Sequence, residues 1–197
     1  ILLSKQLSNS FNGVAVVLVL TAHCAQWYTM YASSNTVIGL MPKLGRYGVS
    51  IFFMVSGYGL VCSAERGIDR NFFIRRLRAT YIPYIIIEII AFFLKGVTWN
   101  LKRLSRLLLG MEAWFITVIM LFYILFYLGW KYSKHKILVI ETGICIISIL
   151  LAVIFKDSLW YSSNIAFGIG IIVKVYEKRF ITFISKGWGI KTILLMV

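Results

Sequence analysis

Residues 137–155 read ILVIETGICIISILLAVIF, a run in which Glu141 is the single charged side chain. An α-helix rises about 1.5 Å per residue, so a segment of this length crosses the roughly 30 Å hydrocarbon core of a bilayer. Lys136 and Lys156 bound the run, as expected for cations at the two membrane surfaces. The stretch therefore predicts a transmembrane helix.

The same apolar pattern recurs along the chain and predicts six complete spans with the start of a seventh. The predicted bounds are 13–31, 47–62, 81–94, 114–130, 137–155 and 159–175, and the seventh block occupies 190–197. The third span is short unless the arginine-rich segment before it extends the helix. Because the chain starts at Ile1 and stops inside an apolar block, we expect residues 1–197 to be one incomplete, all-α transmembrane domain.

Composition agrees with a polytopic membrane protein. The chain is 60% hydrophobic and 14% charged, whereas a soluble domain is about half apolar and a quarter charged. Its formal net charge is +14, but nucleic-acid binding would need a soluble basic face, and the apolar blocks leave none. We expect these cations to flank the spans. Binding of acidic substrates or cofactors is the alternative explanation for the positive net charge.

Loop charges predict the orientation of the spans. Thirteen Lys and Arg residues fall on the side that includes the N-terminus and the loops after the second, fourth and sixth spans, and seven fall on the other. Because the side richer in Lys and Arg stays in the cytoplasm, we predict a multi-pass protein of the inner, or plasma, membrane with a cytoplasmic N-terminus.

The outer loop between the third and fourth spans carries four of those seven cations. Within it, leucines recur at helical spacing among Lys102, Arg103 and Arg106; they are Leu101, Leu104, Leu107 and Leu108. Since an amphipathic helix of this kind lies along a membrane surface, the loop is predicted to hold an interfacial helix.

Cysteine usage argues against metal and disulfide chemistry. Cys24, Cys62 and Cys145 are odd in number, lie in or beside apolar blocks and form no CxxC pair. Such spacing supports neither a disulfide framework nor a zinc site, so no metal site is predicted.

Two ionisable residues fall inside predicted spans: His23 deep in the first and Glu88 in the middle of the third. Ionisable groups in a membrane are costly and usually face the bundle interior or a cavity. Histidine titrates near neutral pH and can therefore act as a general base; a structural hydrogen bond to a neighbouring helix is an equal alternative. Glu88 is expected to be protonated, paired or facing a cavity, with His23 or an arginine as its partner.

Residues 45–58 read GRYGVSIFFMVSGY. Gly48 and Gly57, with Ser50 and Ser56, form small surfaces that let membrane helices approach closely, so a packing face is the main interpretation. The Ser56 hydroxyl could instead serve a reaction centre, but no neighbouring base is evident in the sequence.

Residues 72–84 read FFIRRLRATYIPY. Arg75 and Arg78 are three residues apart and share a helix face, and guanidinium groups can hold phosphates through paired hydrogen bonds. Taken alone, a cationic cluster beside a span more often sets topology or contacts lipid head groups.

Three of these stretches, in this order, resemble the acyltransferase-3 family of membrane acyltransferases. They are residues 13–15 (GVA) leading to His23, residues 48–58 (GVSIFFMVSGY), and residues 72–78 (FFIRRLR) running into Pro83. Residues 114–116 (WFI) also fit. The resemblance is clearest over residues 10–120, and it implies about ten spans in a complete domain.

The resemblance also implies an activity. Such proteins move an acyl group, often acetyl from cytoplasmic acetyl-CoA, to a sugar hydroxyl of a cell-envelope glycan. By this analogy His23 is the catalytic base or an acyl relay, with Glu88 as a candidate to orient it. Arg75 and Arg78, with Arg76 between them, are expected to contact the acyl-CoA donor, which is a substrate rather than a bound cofactor.

One position departs from the family pattern. An Arg usually lies eleven residues before the His, and Asn12 stands there. Eleven helical residues span roughly 16 Å, so that Arg would lie at the far end of the same helix. Either another cation substitutes for it, or the donor is held differently, or this copy is impaired.

Two other functions fit the sequence. A transporter or flippase of envelope precursors would also carry intramembrane His and Glu residues, although the inverted repeats and broken helices common in transporters are not evident. An inactive, truncated remnant is the second alternative, and Asn12 favours it.

Overall fold

The computed structural model describes residues 2–32, 36–68, 71–96, 98 and 100–186. These ranges hold ten α-helices and no strand: α1 Lys5–Tyr31, α2 Thr36–Leu40, α3 Leu44–Glu65, α4 Phe72–Arg76, α5 Ile82–Leu94, α6 Leu101–Leu108, α7 Trp114–Tyr132, α8 Lys136–Ile154, α9 Ile165–Val175 and α10 Glu177–Lys186. A 3₁₀ turn, Met41–Lys43, precedes α3, and another, Ser158–Trp160, precedes α9. A π-helical segment, Leu77–Tyr81, joins α4 to α5.

Six segments are long and apolar enough to cross a membrane, and we number them spans 1 to 6. They are Lys5–Tyr31, Ile38–Glu65, Phe72–Leu94, Trp114–Tyr132, Lys136–Ile154 and Ser158–Val175. All six complete spans predicted from the sequence are therefore confirmed, and the fold is an all-α transmembrane helix bundle. The seventh apolar block, at 190–197, lies outside the described residues.

Three spans begin well before the residues that the sequence predicts, and span 2 starts at Ile38 rather than at residue 47. Span 3 starts at Phe72, so Arg75, Arg76 and Arg78 lie within a helix rather than in the loop predicted for them. Helix α1 starts eight residues before the predicted span, because the Ser4 hydroxyl accepts a hydrogen bond from the Leu7 N–H at 3.2 Å and caps the helix there.

The chain divides into two compact units. The first comprises residues 1–62 and 165–197, and the second comprises residues 63–164. The first unit thus contains span 1, most of span 2 and helix α9 of span 6, and the second contains spans 3, 4 and 5. That residues 1–197 form a single functional domain stays a prediction.

In the first unit, helices α3 and α9 meet at glycine. A methyl group on Gly57 would lie 2.1 Å from the Phe167 carbonyl oxygen, and one on Gly170 would lie 2.0 Å from the Met54 carbonyl oxygen. Both distances are far inside van der Waals contact, so the two backbones touch. This confirms the packing-face interpretation of the segment around Gly57.

Gly48 allows a similar close contact between α3 and α1. A methyl group there would lie 2.7 Å from the Ala15 carbonyl oxygen and equally close to a Val19 methyl group. Two turns after Ala15 along α1, Ala22 faces Gly45. Small residues on both helices therefore set the close approach of spans 1 and 2.

A polar cluster joins the start of the chain to the second half of span 2 and to the end of span 6. The buried Glu177 carboxylate accepts hydrogen bonds from Lys174 Nζ at 2.7 Å, from the Tyr58 hydroxyl at 2.6 Å and from the Leu2 N–H. The Tyr58 hydroxyl also accepts one from the Leu3 N–H at 3.2 Å. We call these five residues the Glu177 clasp. Burial acts to raise the pKa of Glu177, but its hydrogen bonds from Lys174, Tyr58 and Leu2 outweigh burial and lower that pKa to about 2.

Replacing Glu177 by Gln is expected to destabilise the protein by on the order of 2 kcal/mol, because Lys174 loses its counter-ion in a poorly solvated site. The folded-state pKa of Glu177 lies below the ordinary 4.5. Its stabilising effect is therefore present above about pH 5 and is lost as the pH falls toward 2. The melting temperature of the purified protein should fall over that range, and E177Q should lose much of the dependence.

The exposed neighbour Lys178 supplies the control, since K178Q should melt like the wild type. The double variant K174M/E177Q should be more stable than E177Q alone, because it leaves no unpaired ammonium group. Equal melting temperatures for E177Q and the wild type at pH 7 would contradict a stabilising clasp.

The second unit has an aromatic core between α4 and α7. Phe72 is buried and stacks on Phe126 at 6.3 Å between ring centroids, and Phe73 packs on Tyr127 at 4.7 Å. Trp130 continues the stack, 5.2 Å from Phe126. These ring contacts fix the start of span 3 alongside the second half of span 4.

The predicted amphipathic helix between spans 3 and 4 is present as α6. It begins after Asn100, whose side-chain oxygen accepts a hydrogen bond from the Arg103 N–H at 2.8 Å. That capping bond is typical of a helix start. The position of α6 at a membrane surface stays a prediction.

Candidate functional site

The arginine-rich start of span 3 contains an irregular helical turn. At Leu77–Tyr81 the α-helix widens to a π-helix before α5 resumes. Pro83 follows directly, and it has no N–H to donate to the carbonyl of Ala79 and crowds that carbonyl. Widened turns in helices occur at such prolines and are frequent at functional sites. Arg78 lies within the widened turn.

Arg76 is held by aromatic rings. Its guanidinium carbon lies 5.7 Å from the centroid of the Phe72 ring and 5.8 Å from that of Tyr123, and the side chain is half-buried. Cation–π contacts of this kind are strongest where water is excluded. Arg76 is thus a fixed positive charge, whereas Arg75 and Arg78 on the same segment are exposed.

The Arg76 guanidinium packs beside the middle of span 4. Tyr123 is the tenth of the nineteen residues of α7, about 13 Å along that helix from its last residue, Tyr132, while Arg76 itself lies about one turn from the start of span 3. Cations that set topology occupy loops and helix ends. Arginines at intramembrane depth usually face a bundle interior or a water-filled cavity and are functional.

Electrostatics at this cluster suit an anionic ligand. Arg66 and Arg75 are close enough to Arg76 to repel it, so several like charges are gathered around one segment of span 3. Guanidinium groups bind phosphates bidentately and stay charged in poorly solvated sites. The arrangement can therefore hold a phosphate-bearing molecule at Arg75 and Arg78, with Arg76 adding to the positive potential.

His23 lies on an exposed face of α1. The buried side of that helix is formed by alanines at positions 15, 22 and 25, while Leu20 and Trp27 near His23 are exposed. The sequence predicts an interior position for this histidine, whereas its imidazole is accessible within the first unit. Such a side chain is free to meet a substrate, and removing it leaves no cavity.

Glu88 lies in α5, half-buried, in the second unit. Its nearest charged or titratable neighbour along the helix is Tyr84, with which it interacts electrostatically. His23 belongs to the first unit. An orienting contact between Glu88 and His23 stays a prediction, as does pairing of Glu88 with an arginine.

Asn12 lies in α1, half-buried, three turns before His23. Both residues share one continuous helix, so the roughly 16 Å between their positions along the axis is fixed. The amide of Asn12 is uncharged and cannot replace a guanidinium group. Any cation that serves the same purpose must come from another part of the chain.

Sequence reasoning missed the clasp formed by Tyr58 and Glu177. In the sequence Tyr58 is only the end of the GVSIFFMVSGY stretch, and Lys174 is one cation near the end of the sixth span. One local signal was available, since Lys174 and Glu177 are three residues apart and form an i,i+3 ion pair. The partners Leu2 and Tyr58 lie too far away in the sequence to be found by spacing.

Comparison with known proteins identifies the family of this chain. A family model described as an acyltransferase domain, that of acyltransferase-3, matches residues 9–197. No curated protein matches the chain, and no solved structure does either. The match extends through all six spans, well beyond residues 10–120, where the resemblance is clearest in the sequence. The chain therefore belongs to the acyltransferase-3 family and is a multi-pass membrane acyltransferase.

Proposed function

We propose that this protein moves an acyl group, acetyl in the first instance, from acyl-CoA to a sugar hydroxyl of a cell-envelope glycan. The observation that carries the proposal is the position of the arginine cluster. The Arg76 guanidinium packs on Tyr123, at the centre of span 4, beside the exposed Arg75 and Arg78. Arginines gathered within a membrane span usually serve a ligand or a water-filled cavity, and the phosphates of an acyl-CoA donor provide such a ligand.

The donor is held through its phosphates. Coenzyme A is a polyanion, and the exposed Arg75 and Arg78 can each form paired hydrogen bonds to a phosphate group. Arg76 keeps its position between Phe72 and Tyr123 and raises the local positive potential. The widened turn at Leu77–Tyr81 sets the direction in which Arg78 leaves the helix.

His23 acts as the general base that accepts the proton of the sugar hydroxyl. The oxygen of the acceptor hydroxyl attacks the thioester carbonyl carbon, His23 accepts the hydroxyl proton, and the carbon–sulfur bond breaks. The thiolate of CoA takes a proton in turn, so the products are a sugar ester and free CoA. In the alternative order, a His23 nitrogen first receives the acyl group with release of CoA and then passes it to the hydroxyl.

The proposed setting is the inner, or plasma, membrane, with the N-terminus in the cytoplasm. The Glu177 clasp supports one part of this scheme, because it joins the N-terminal segment to the second half of span 2 and to the end of span 6. Successive spans cross the bilayer in opposite directions, so these three parts of the chain belong to the same side. Acyl-CoA in the cytoplasm then meets the side of the protein that is richer in cations.

The double variant R75Q/R78Q tests the donor assignment. Hydrogen bonds to charged groups contribute roughly 1.5–3 kcal/mol each, so the loss of both arginines should raise the KM for acetyl-CoA by about 100-fold or more. The assay follows label from acetyl-CoA into extracted glycan, in membranes of cells that express the complete gene. K134Q is the matched control, since Lys134 is an exposed cation in the turn between spans 4 and 5.

An unchanged KM in R75Q/R78Q, with both proteins present in equal amount, would refute the donor site. Glycan label absent from the wild type as well would refute the acyl-CoA reaction itself. Glycan precursor that crosses the membrane without any acyl-CoA would favour the transporter alternative.

A further inference from the structure

Helix α6 is fixed to its neighbours at its C-terminal end. The Tyr84 hydroxyl donates to the Leu107 carbonyl at 3.1 Å, the Tyr81 hydroxyl donates to the Leu108 carbonyl, and the Thr117 hydroxyl donates to the Leu109 carbonyl at 3.0 Å. These are carbonyl groups that a helix end leaves without an intrahelical partner. Spans 3 and 4 thus both hold α6, and its faces have fixed directions.

One face of α6 is an exposed stripe of leucines. Leu107 is buried, whereas Leu101 is 83% exposed, Leu108 is 55% exposed and Leu104 is 41% exposed. Spacings of three and four residues put these three exposed side chains on one side of the helix. With eight residues, α6 is about 12 Å long, far too short to cross a membrane.

The opposite face is cationic, and its charge is only partly balanced. Arg106 is paired with Glu112 at 2.7 Å, which raises the pKa of Arg106. Arg103 donates to the uncharged Thr98 carbonyl and hydroxyl. Lys102 is exposed and has no acidic partner in the described part of the chain. Two cations of α6 therefore lack a counter-ion there.

These cations also run against the charge bias of the protein. They lie in the loop between spans 3 and 4, on the side predicted to be poorer in Lys and Arg, where cations oppose correct insertion. Their presence needs a purpose other than topology. A leucine stripe beside unbalanced cations is complementary to a lipid surface, with acyl chains below and anionic phosphates above.

We infer that α6 binds the anionic head groups of membrane phospholipids, with Leu101, Leu104 and Leu108 among the acyl chains and Lys102 and Arg103 on the phosphates. The site is separate from the arginine cluster of span 3, and the inference does not depend on the acyl-transfer reaction. Binding at α6 gives the protein a preference for anionic phospholipids next to this helix.

Lipid preference provides the first test. The protein is placed in nanodiscs of equal phosphatidylcholine and phosphatidylglycerol, and the lipids that stay bound are counted by native mass spectrometry. A cation near a membrane surface favours an anionic lipid by roughly fivefold, so K102Q/R103Q should lower the enrichment of bound phosphatidylglycerol by up to about 25-fold. K134Q removes one cation from the turn between spans 4 and 5, so it should lower the enrichment by no more than about fivefold.

Depth provides the second test, which measures position in the bilayer rather than lipid preference. Nitroxide labels are attached to L104C and K102C in a background without the three native cysteines. The label at 104 should be reached by oxygen and not by a water-soluble nickel chelate, and the label at 102, on the cationic face, should show the reverse. Equal phosphatidylglycerol enrichment in K102Q/R103Q and the wild type would overturn the inference. So would a water-exposed label at 104, or dipolar coupling between 104 labels of two copies.

Discussion

Replacing His23 by alanine is expected to abolish detectable acyl transfer. Loss of a positioned general base costs about 10²- to 10⁴-fold in rate, and the loss is larger still if the imidazole itself carries the acyl group. His23 lies on an exposed face of α1, so truncation opens no cavity. The variant should therefore reach the membrane in normal amount and keep the melting temperature of the wild type.

The measurement is transfer of label from acetyl-CoA to extracted glycan, normalised to protein in the membrane. His135 is the other of the two histidines, and it is exposed in the turn before α8, so H135A should retain full activity. H23Q keeps a polar side chain but no base, and it should be as inactive as H23A. Activity in H23A equal to that in H135A would remove His23 from the mechanism.

The second large effect is structural. Gly57→Ala is expected to destabilise the protein by about 3 kcal/mol, the upper part of the range for overpacking. The added methyl group would lie 2.1 Å from the Phe167 carbonyl oxygen, and neither backbone can yield locally. Helices α3 and α9 must separate, which also strains the bonds of the neighbouring Tyr58. Gly170→Ala meets the Met54 carbonyl oxygen in the same way and should have a similar effect.

Gly59 offers a control on the same helix. A methyl group there has nothing within 4 Å, and alanine is favoured over glycine in a helix by roughly 0.5–1 kcal/mol. G59A should thus melt at or slightly above the temperature of the wild type in detergent, while G57A melts well below it. Similar melting temperatures for G57A and G59A would mean that α3 and α9 are not in backbone contact.

The six spans could be predicted because length and apolar composition alone determine whether a helix can cross a bilayer. The start of span 3 could not be predicted from the sequence. Arg75, Arg76 and Arg78 have the charge of a loop, and the helix extends through them because Phe72 and Arg76 pack on rings of α7. That stabilisation comes from a partner some fifty residues away, which the local pattern does not contain.

The candidate site was predicted in part. Arg75 and Arg78 can be picked out by their spacing of three residues, but the segment that carries them is a helix where the charges predict a loop. The position of Arg76 beside Tyr123 depends on how α4 packs on α7, so no sequence pattern gives it. The exposed position of His23 differs from expectation because the small alanines of α1, rather than its polar residue, face α3. Close approach of helices in a membrane favours small side chains.

The Glu177 clasp has a consequence for the order in which the protein is made. Leu2 and Glu177 are 175 residues apart, and at roughly 5–20 residues per second a ribosome needs about 10–35 s to synthesise the intervening chain. The second unit is continuous in sequence and can assemble as it emerges. Spans 1 and 2 are inserted first, yet Gly57 meets its partner only when α9 is made, and Tyr58 only when Glu177 follows. The unit that holds the N-terminus is therefore the last to close, and a nascent chain halted before α9 carries an open face of span 2 within the bilayer.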